Sequence, residues 1–204
     1  KSMSSNAGAP GSGPYTVTLT YTNSGNNTAT ALAINDALPT HMDYAAGTGR
    51  WSVTGATALT DGSGVEGASP NITFEYVSGT RTVSAVIASI APGQSGTITF
   101  QVGIAAIATP GPLNNTAAYD YNDGASAVGP FNSNTFVFTV TSSPGVTGTG
   151  EVVVNAPQGA SVNFTNVITN TGTITDSYNI TIVANSFPAG SSYILYKPDG
   201  VSPL

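Results

Sequence analysis

The sequence predicts an all-β protein, an antiparallel β-sandwich followed by a second, incomplete β-sandwich module. Three observations carry the prediction. Tyr15, Val17, Leu19 and Tyr21 alternate with Thr16, Thr18, Thr20 and Thr22, the period of two expected of a strand with one buried face. Clusters of Gly, Pro, Asn and Ser break the chain at short intervals, and no stretch carries the 3.6-residue apolar stripe of a helix. One phrase is written twice. YTNSGNNTATALAINDALP runs over 21–39 and ITNTGTITDSYNITIVANSFP over 168–188, so a module is begun a second time.

In chain order, residues 1–13 read KSMSSNAGAPGSG, a flexible leader by composition. Order there would require a contact with its own module or with a neighbouring chain. The first strand follows at Pro14. Asn23-Ser24-Gly25-Asn26-Asn27 turns the chain. A second strand sets Ala29, Ala31 and Ala33 against Thr30, Leu32 and Ile34. It ends at NDALP, because Pro39 cannot donate to a sheet ladder. Further strands are predicted at 51–53, 72–77, 82–87, 97–104, 116–121 and 135–141. Turns are predicted at DGSG (61–64), SGT (78–80), APGQSG (91–96), TPGP (109–112) and YNDGASAVGP (121–130). Short strands between Gly/Pro turns describe a sandwich of about eight or nine strands over 14–142. Residues 143–150 are a linker, and 151–204 a partial second module. Its strands are predicted to begin at Glu151, to run from Val162 into the repeated phrase, through the Tyr178, Ile180, Ile182 alternation, and from Tyr193 to Tyr196.

These residues resemble a family. YTVTLTYTNSGNNTATALAINDALP, APGQSGTITFQVGI, NNTAAYDYNDG and SNTFVFTV occur in the order of the immunoglobulin-like repeat of bacterial and archaeal surface proteins, the conserved domain of unknown function numbered eleven. The resemblance covers about 14–142, with 146–204 similar to the start of a related repeat. It implies tandem modules in large secreted or cell-surface proteins, and it implies no catalytic residues.

Composition narrows the function. Of 204 residues, 40% are apolar, enough for a core, and only 7% are charged, far below the usual quarter. The polarity comes from Thr, Ser, Asn and Gly, a composition typical of extracellular β proteins. Net charge is −6, pI about 4.2, and the cations Lys1, Arg50, Arg81 and Lys197 are scattered. A phosphate backbone or an anionic lipid surface needs clustered cations, so neither nucleic acid nor electrostatic lipid binding is expected, and with no apolar run near the ~20 residues of a membrane span, direct membrane insertion is not expected either. There is no Cys and a single His, His41, which excludes disulfides, thiol catalysis and a His cluster. The chain opens on Lys1 without Met or signal peptide, as expected of a mature or excised fragment.

Candidate chemistry is sparse. Asp120, Asn122 and Asp123 in YDYNDG could offer oxygens to calcium, which takes six to eight hard ligands. The alternative is a loop whose Asn and Asp bond their own backbone. Asp36 of NDALP could be a ligand, or a turn cap through backbone N–H groups. His41 reads as a surface loop residue. Trp51, Tyr44 and Tyr76 could form a sugar-stacking platform, although core aromatics of a sandwich fit them better. Catalysis lacks support: there is no G-x-S-x-G elbow, and Glu66, Glu75 and Glu151 are far apart in sequence. A Lys–Asn isopeptide crosslink, which some surface sandwiches carry, needs a buried Lys beside an Asn and an acid. Residues 2–196 contain no Lys, so the first module can hold one only if Lys1 folds back, and Lys197 lies in the turn sequence KPDG. Asn26, Asn71, Asn114, Asn163 and Asn179 head Asn-x-Ser/Thr acceptors, relevant if the source glycosylates Asn.

The expected function is a non-catalytic structural module of an extracellular cell-surface protein, building a stalk, surface layer or filament, with neighbouring copies or adjacent repeats as partners. Exposed strand edges in 146–204, or the leader, would pair between subunits. The alternative is an adhesin-type module recognising carbohydrate or a host protein, through an exposed aromatic cluster or a metal-fixed loop near 119–130.

Overall fold

The computed structural model describes residues 1–62, 64, 66, 71–182 and 187–204. Residue 63 of the DGSG turn and residues 183–186 of the second phrase lie outside the described residues. The described chain is all-β. Its strands are β1 (Ser2–Met3), β2 (Ala7–Gly8), β3 (Tyr15–Thr22), β4 (Ala29–Ala37), β5 (Met42–Tyr44), β6 (Arg50–Trp51), β7 (Ile72–Val77) and β8 (Thr82–Ile90). There follow β9 (Ser95–Ile104), β10 (Gly111–Asn115), β11 (Ala117–Asn122), β12 (Ala127–Asn132), β13 (Phe136–Val140), β14 (Val146–Gly150) and β15 (Asn166–Asn170).

Three sheets surround one core. The first runs β1-β3-β9-β5, with β6 also on β9. The second is β10-β13-β2, and the third β12-β11-β4-β8-β7. Alternation decides what faces inward. Val17 pairs with Phe100 and Leu19 with Ile98 across β3 and β9, and all four are buried. On the third sheet Leu32 pairs with Ile87 and Ile34 with Ala85, their side chains closing the core from the other side. Phe138 and Val140 of β13 seal the flank. Each large apolar side chain buried this way contributes roughly 1.5–3 kcal/mol.

The leader is structured, and its partner is its own module. β1 extends the first sheet through Ser2↔Thr18 and Met3↔Val17. β2 then crosses to the second sheet and runs parallel to β13. Gly/Ser composition predicts flexibility, but backbone bonds such as Thr139 N to Asn6 O (2.8 Å) and Ile104 N to Ser12 O (2.8 Å) hold this segment. These long-range partners leave no mark on local sequence. Three more strands form where the sequence signals turns or nothing: β5, β10 and β12. β12 closes a hairpin on β11, so only the centre of YNDGASAVGP is a turn.

Every apolar side chain buried among the described residues lies between Val17 and Val140. Beyond it, β14 and β15 form a two-stranded antiparallel sheet, which places a strand inside the predicted linker. The strands predicted from Glu151, through Tyr178–Ile182 and at Tyr193–Tyr196 do not form. Val152 and Val154 are 82% and 84% exposed. Alternation becomes a strand only where a neighbour takes up its N–H and C=O groups and a facing layer covers its apolar side chains.

Candidate functional site: a buried Lys–Asp–Asn cluster

Three polar residues meet in the core where the three sheets approach one another. Asp36 is set by β4. It follows Leu32 and Ile34 on the inward face and is paired with Val83 of β8 and Ala117 of β11, so it has strands on both sides and no exposure. Asn115 is the last residue of β10, 2% exposed. Lys1 arrives from the leader. Its backbone nitrogen donates to Asn134 Oδ1 (2.7 Å), and Asn134 Nδ2 donates to the Lys1 carbonyl (2.9 Å). That clasp aims the Lys1 side chain inward, where Nζ donates to Asp36 Oδ1 at 2.5 Å, the two side chains 2% and 0% exposed.

The electrostatics are those of charges removed from water. Burial pushes the Asp36 carboxyl above its ordinary range, opposed by Lys1 and by the neighbouring Asn115 amide. Burial likewise pulls the Lys1 amine below its ordinary value, opposed by Asp36. Both shifts favour the neutral acid beside the neutral amine. Two acceptors in the cluster, Asp36 Oδ2 and Asn115 Oδ1, have no hydrogen-bond partner, and Asn115 Nδ2 has only the Met42 sulfur, at 3.9 Å.

The sequence offered Asp36 as a turn cap or an ion ligand; its carboxylate points into the core and accepts from Lys1. The condition that Lys1 fold back is met. Asn115 was missed, for it stands in NNT, which resembles any other Asn-Thr pair in this chain. The inward alternation of β4, running one step past Ile34, was the available signal for Asp36.

The other singled-out residues lie elsewhere. In the β11–β12 turn, Asp123 Oδ1 accepts from Ala125 N and Ser126 N (both 2.9 Å), and Asn122 Oδ1 from Gly124 N (2.9 Å). Asp120 is exposed. Among the described residues no three His, Cys, Asp or Glu side chains converge as a metal site would require. Trp51 is buried, its indole N–H donating to Tyr21 OH (2.8 Å). Tyr44 stacks on Tyr76 at 4.4 Å between ring centroids and donates its hydroxyl to Asp61 (2.5 Å). The Glu66 carboxylate is buried and accepts from the Thr60 backbone and hydroxyl (both 2.9 Å). His41 occupies a left-handed turn position (φ 71°). Asp199 of KPDG caps Val201 N and Ser202 N.

A groove of about 690 Å³ opens beside the cluster, lined by Asn23, Asn27, Tyr119, Tyr121, Asp123 and Asn132. Phe131 packs across the strands from Tyr119 (5.5 Å) and Tyr121 (6.5 Å) and is 43% exposed. Tyr119 and Tyr121 are half-buried against the core, so Phe131 is the exposed member of this aromatic group near residues 119–130.

With this geometry the chain is an all-β protein whose first module is an antiparallel, immunoglobulin-like β-sandwich. No protein-family model and no curated protein matches it. Among solved structures, a variant of BcpA, the major pilin subunit of Bacillus cereus, superposes with a TM-score of 0.52 at 10% identity, over 72% of this chain and 40% of the pilin. Domains D2 and D3 of SpaD, the major pilin of Corynebacterium diphtheriae, give 0.41 at 16% identity, over 67% of this chain and 47% of that one. The collagen-binding domain of a Staphylococcus aureus adhesin gives 0.41 at 16% identity, over 62% and 86%. The chain spans less than half the length of the two pilins, and at these identities the likeness is one of fold.

Proposed function

We propose that this chain is a non-catalytic structural module of an extracellular cell-surface protein, one unit of a stalk, surface layer or filament. The observation that carries this reading is the recurrence of one local structure at the start of two modules. Asn23 Nδ2 donates to Asn27 O (2.8 Å) while its Oδ1 accepts from Gly25 N (3.0 Å). Asn170 Nδ2 donates to Ile174 O (2.8 Å) while its Oδ1 accepts from Gly172 N (2.8 Å). A device repeated at equal spacing belongs to tandem modules of the surface-repeat type, and the fold shared with a pilin supports the same assignment. Its partners are then adjacent repeats or neighbouring copies. β14 and β15 form a sheet of two strands, and an edge of such a sheet accepts a strand from another chain. Antibody labelling of unpermeabilised source cells, with electron microscopy, tests the proposal. Signal along stalks, layers or filaments supports it, and protein confined to the cell interior overturns it.

A second reading, an adhesin-type module for carbohydrate, rests on the groove flanked by Tyr119, Tyr121 and Phe131, whose rings could stack on sugar faces. Calcium at Asp120, Asn122 and Asp123 would belong to this reading. A glycan array run with and without EDTA separates the two. Binding lost in Tyr121→Ala favours the adhesin, EDTA sensitivity would place calcium in it, and a blank array leaves the structural module.

A further inference from the structure

We propose that the free edge of β3 at residues 20–22 is a docking groove for residues 152–154 of a second copy of this chain. β3 has a full-length partner on one side only. β9 pairs with it from Tyr15 to Thr22, whereas β1 meets it only at Val17 and Thr18. Alternate residues of an antiparallel strand turn their backbone groups to alternate sides. Ser4 N donates to Thr16 O (2.9 Å), so Thr16, Thr18, Thr20 and Thr22 present theirs on the β1 side. Lys1 is level with Leu19 in this register, and from Thr20 onward no strand of the described residues lies on that side. The 690 Å³ groove opens there, and its floor is core: Leu19, Leu32, Ile34 and Ile90 line it and all are buried. An edge with unpaired backbone groups above an apolar floor accepts an extended segment with apolar side chains at alternate positions.

The same chain carries such a segment, unpaired. The ladder of β14 and β15 continues to Glu151, whose N–H donates to Thr165 O (3.0 Å), and ends there. Val152 and Val154 come next, β-branched, two residues apart and 82% and 84% exposed. Among the described residues, 152–154 make no backbone hydrogen bond. The apolar run at 193–196 differs, for Leu204 N donates to Leu195 O and Tyr196 bridges Pro203. With Val153 opposite Thr22, Val152 and Val154 enter the groove level with Tyr21 and Asn23. The backbone groups left over on both partners then pair, and apolar surface on both leaves water.

The fold separates donor from groove. The chain leaves the first module at Val140, which pairs with Gly8, and a Cβ on Gly8 would lie 2.9 Å from Tyr15 Cζ. Val140 is therefore at the Tyr15 end of β3 and the groove at its Thr22 end, roughly 23 Å away at 3.3 Å per residue. The segment does not line the groove of its own chain. A contact between two different surfaces is heterologous and builds an open row of copies unless its rotation closes a ring. This inference rests on the reading of the chain as a structural module whose partners are its own copies.

The chain has no cysteine, so introduced thiols report the contact. Full-length Thr22→Cys and Val153→Cys, mixed under mild oxidation, should give a disulfide-linked dimer whose digest contains one peptide joining positions 22 and 153. Ile107→Cys, at a site 79% exposed, should give little dimer when it replaces Val153→Cys in the mixture. Val152→Asp combined with Val154→Asp should abolish the association that light scattering detects in the wild-type chain, with Trp51 emission unchanged as the sign of an intact first module. Equal linkage with Ile107→Cys, or wild-type chains that associate while positions 22 and 153 stay unlinked, overturns this contact and leaves the surface-module reading to the cell labelling. A wild-type chain that stays monomeric at every concentration overturns the contact as well.

Discussion

Lys1 Nζ and Asp36 Oδ1 face each other at 2.5 Å, 35 residues apart in sequence and both sealed from water. Breaking a buried pair by removing one member leaves a charge without a partner, which costs about 3–5 kcal/mol, whereas replacing both by apolar groups is often neutral. Lys1→Met should therefore lower the urea midpoint sharply. Adding Asp36→Leu should recover most of that loss. Equal midpoints for Lys1→Met and its parent would show that the pair contributes nothing.

The two copies of the Asn turn should differ in their effect on stability. Asn23 Nδ2 also donates to Ile90 O (2.8 Å), at the end of β8 on the opposite sheet, so Asn23 joins the two faces of the sandwich. Its loss strands a carbonyl, at a cost of about 1–3 kcal/mol. Asn170 makes exposed, local bonds, worth well under this. Thermal unfolding of Asn23→Ala and Asn170→Ala should show a clear drop in Tm for the first and almost none for the second.

Gly96 lies opposite Tyr21 across β3 and β9, and a Cβ placed there would come within 2.6 Å of Tyr21 Cζ. The Tyr21 hydroxyl accepts the Trp51 indole N–H. Gly96→Ala should push the ring away, break that bond and destabilise the fold by about 1–3 kcal/mol. Trp51 is the single Trp, so its fluorescence reports the change: emission should shift to the red in Gly96→Ala, and an unchanged spectrum would count against the packing argument.

Asp123 supplies the pH dependence. Backbone N–H bonds from Ser126, then Ala125, hold its carboxyl below the ordinary carboxylate value of 3.8. A depressed folded-state pKa means that the carboxylate supports the turn above pH 3.8, and that this support is lost as pH falls through the lower folded value. An NMR titration should place the Asp123 midpoint below that of an exposed Asp, with the Ser126 and Ala125 amides shifting together. Asp123→Ala should remove that coupled shift.

The sandwich was legible because period-two alternation is a local signal. The predicted 72–77 is the strand Ile72–Val77, and the predicted 97–104 falls within Ser95–Ile104. The leader was not legible as strand. Ser2–Met3 and Ala7–Gly8 have no propensity to show and exist because Thr18, Val17, Thr139 and Val140 receive them. The opposite error occurred past residue 150, where Val152 and Val154 have strand propensity but no facing layer. The candidate site divided in the same way. A Lys at position 1 could be read, but that it turns inward depended on Asn134, which is far along the chain.

By itself the sequence determined the fold class, the turn chemistry of Asn23 and Asn170, and the exclusion of thiol and His-cluster chemistry, because each follows from residues close together or from plain composition. Only the tertiary structure decided that Lys1, Asp36 and Asn115 share one dry pocket. Three residues separated by 34 and 78 intervening positions meet through the pairing of strands in three sheets. The shifted pKa values of Lys1 and Asp36 come from the exclusion of water there, and burial of that kind is a property of the assembled core that no local stretch of sequence carries.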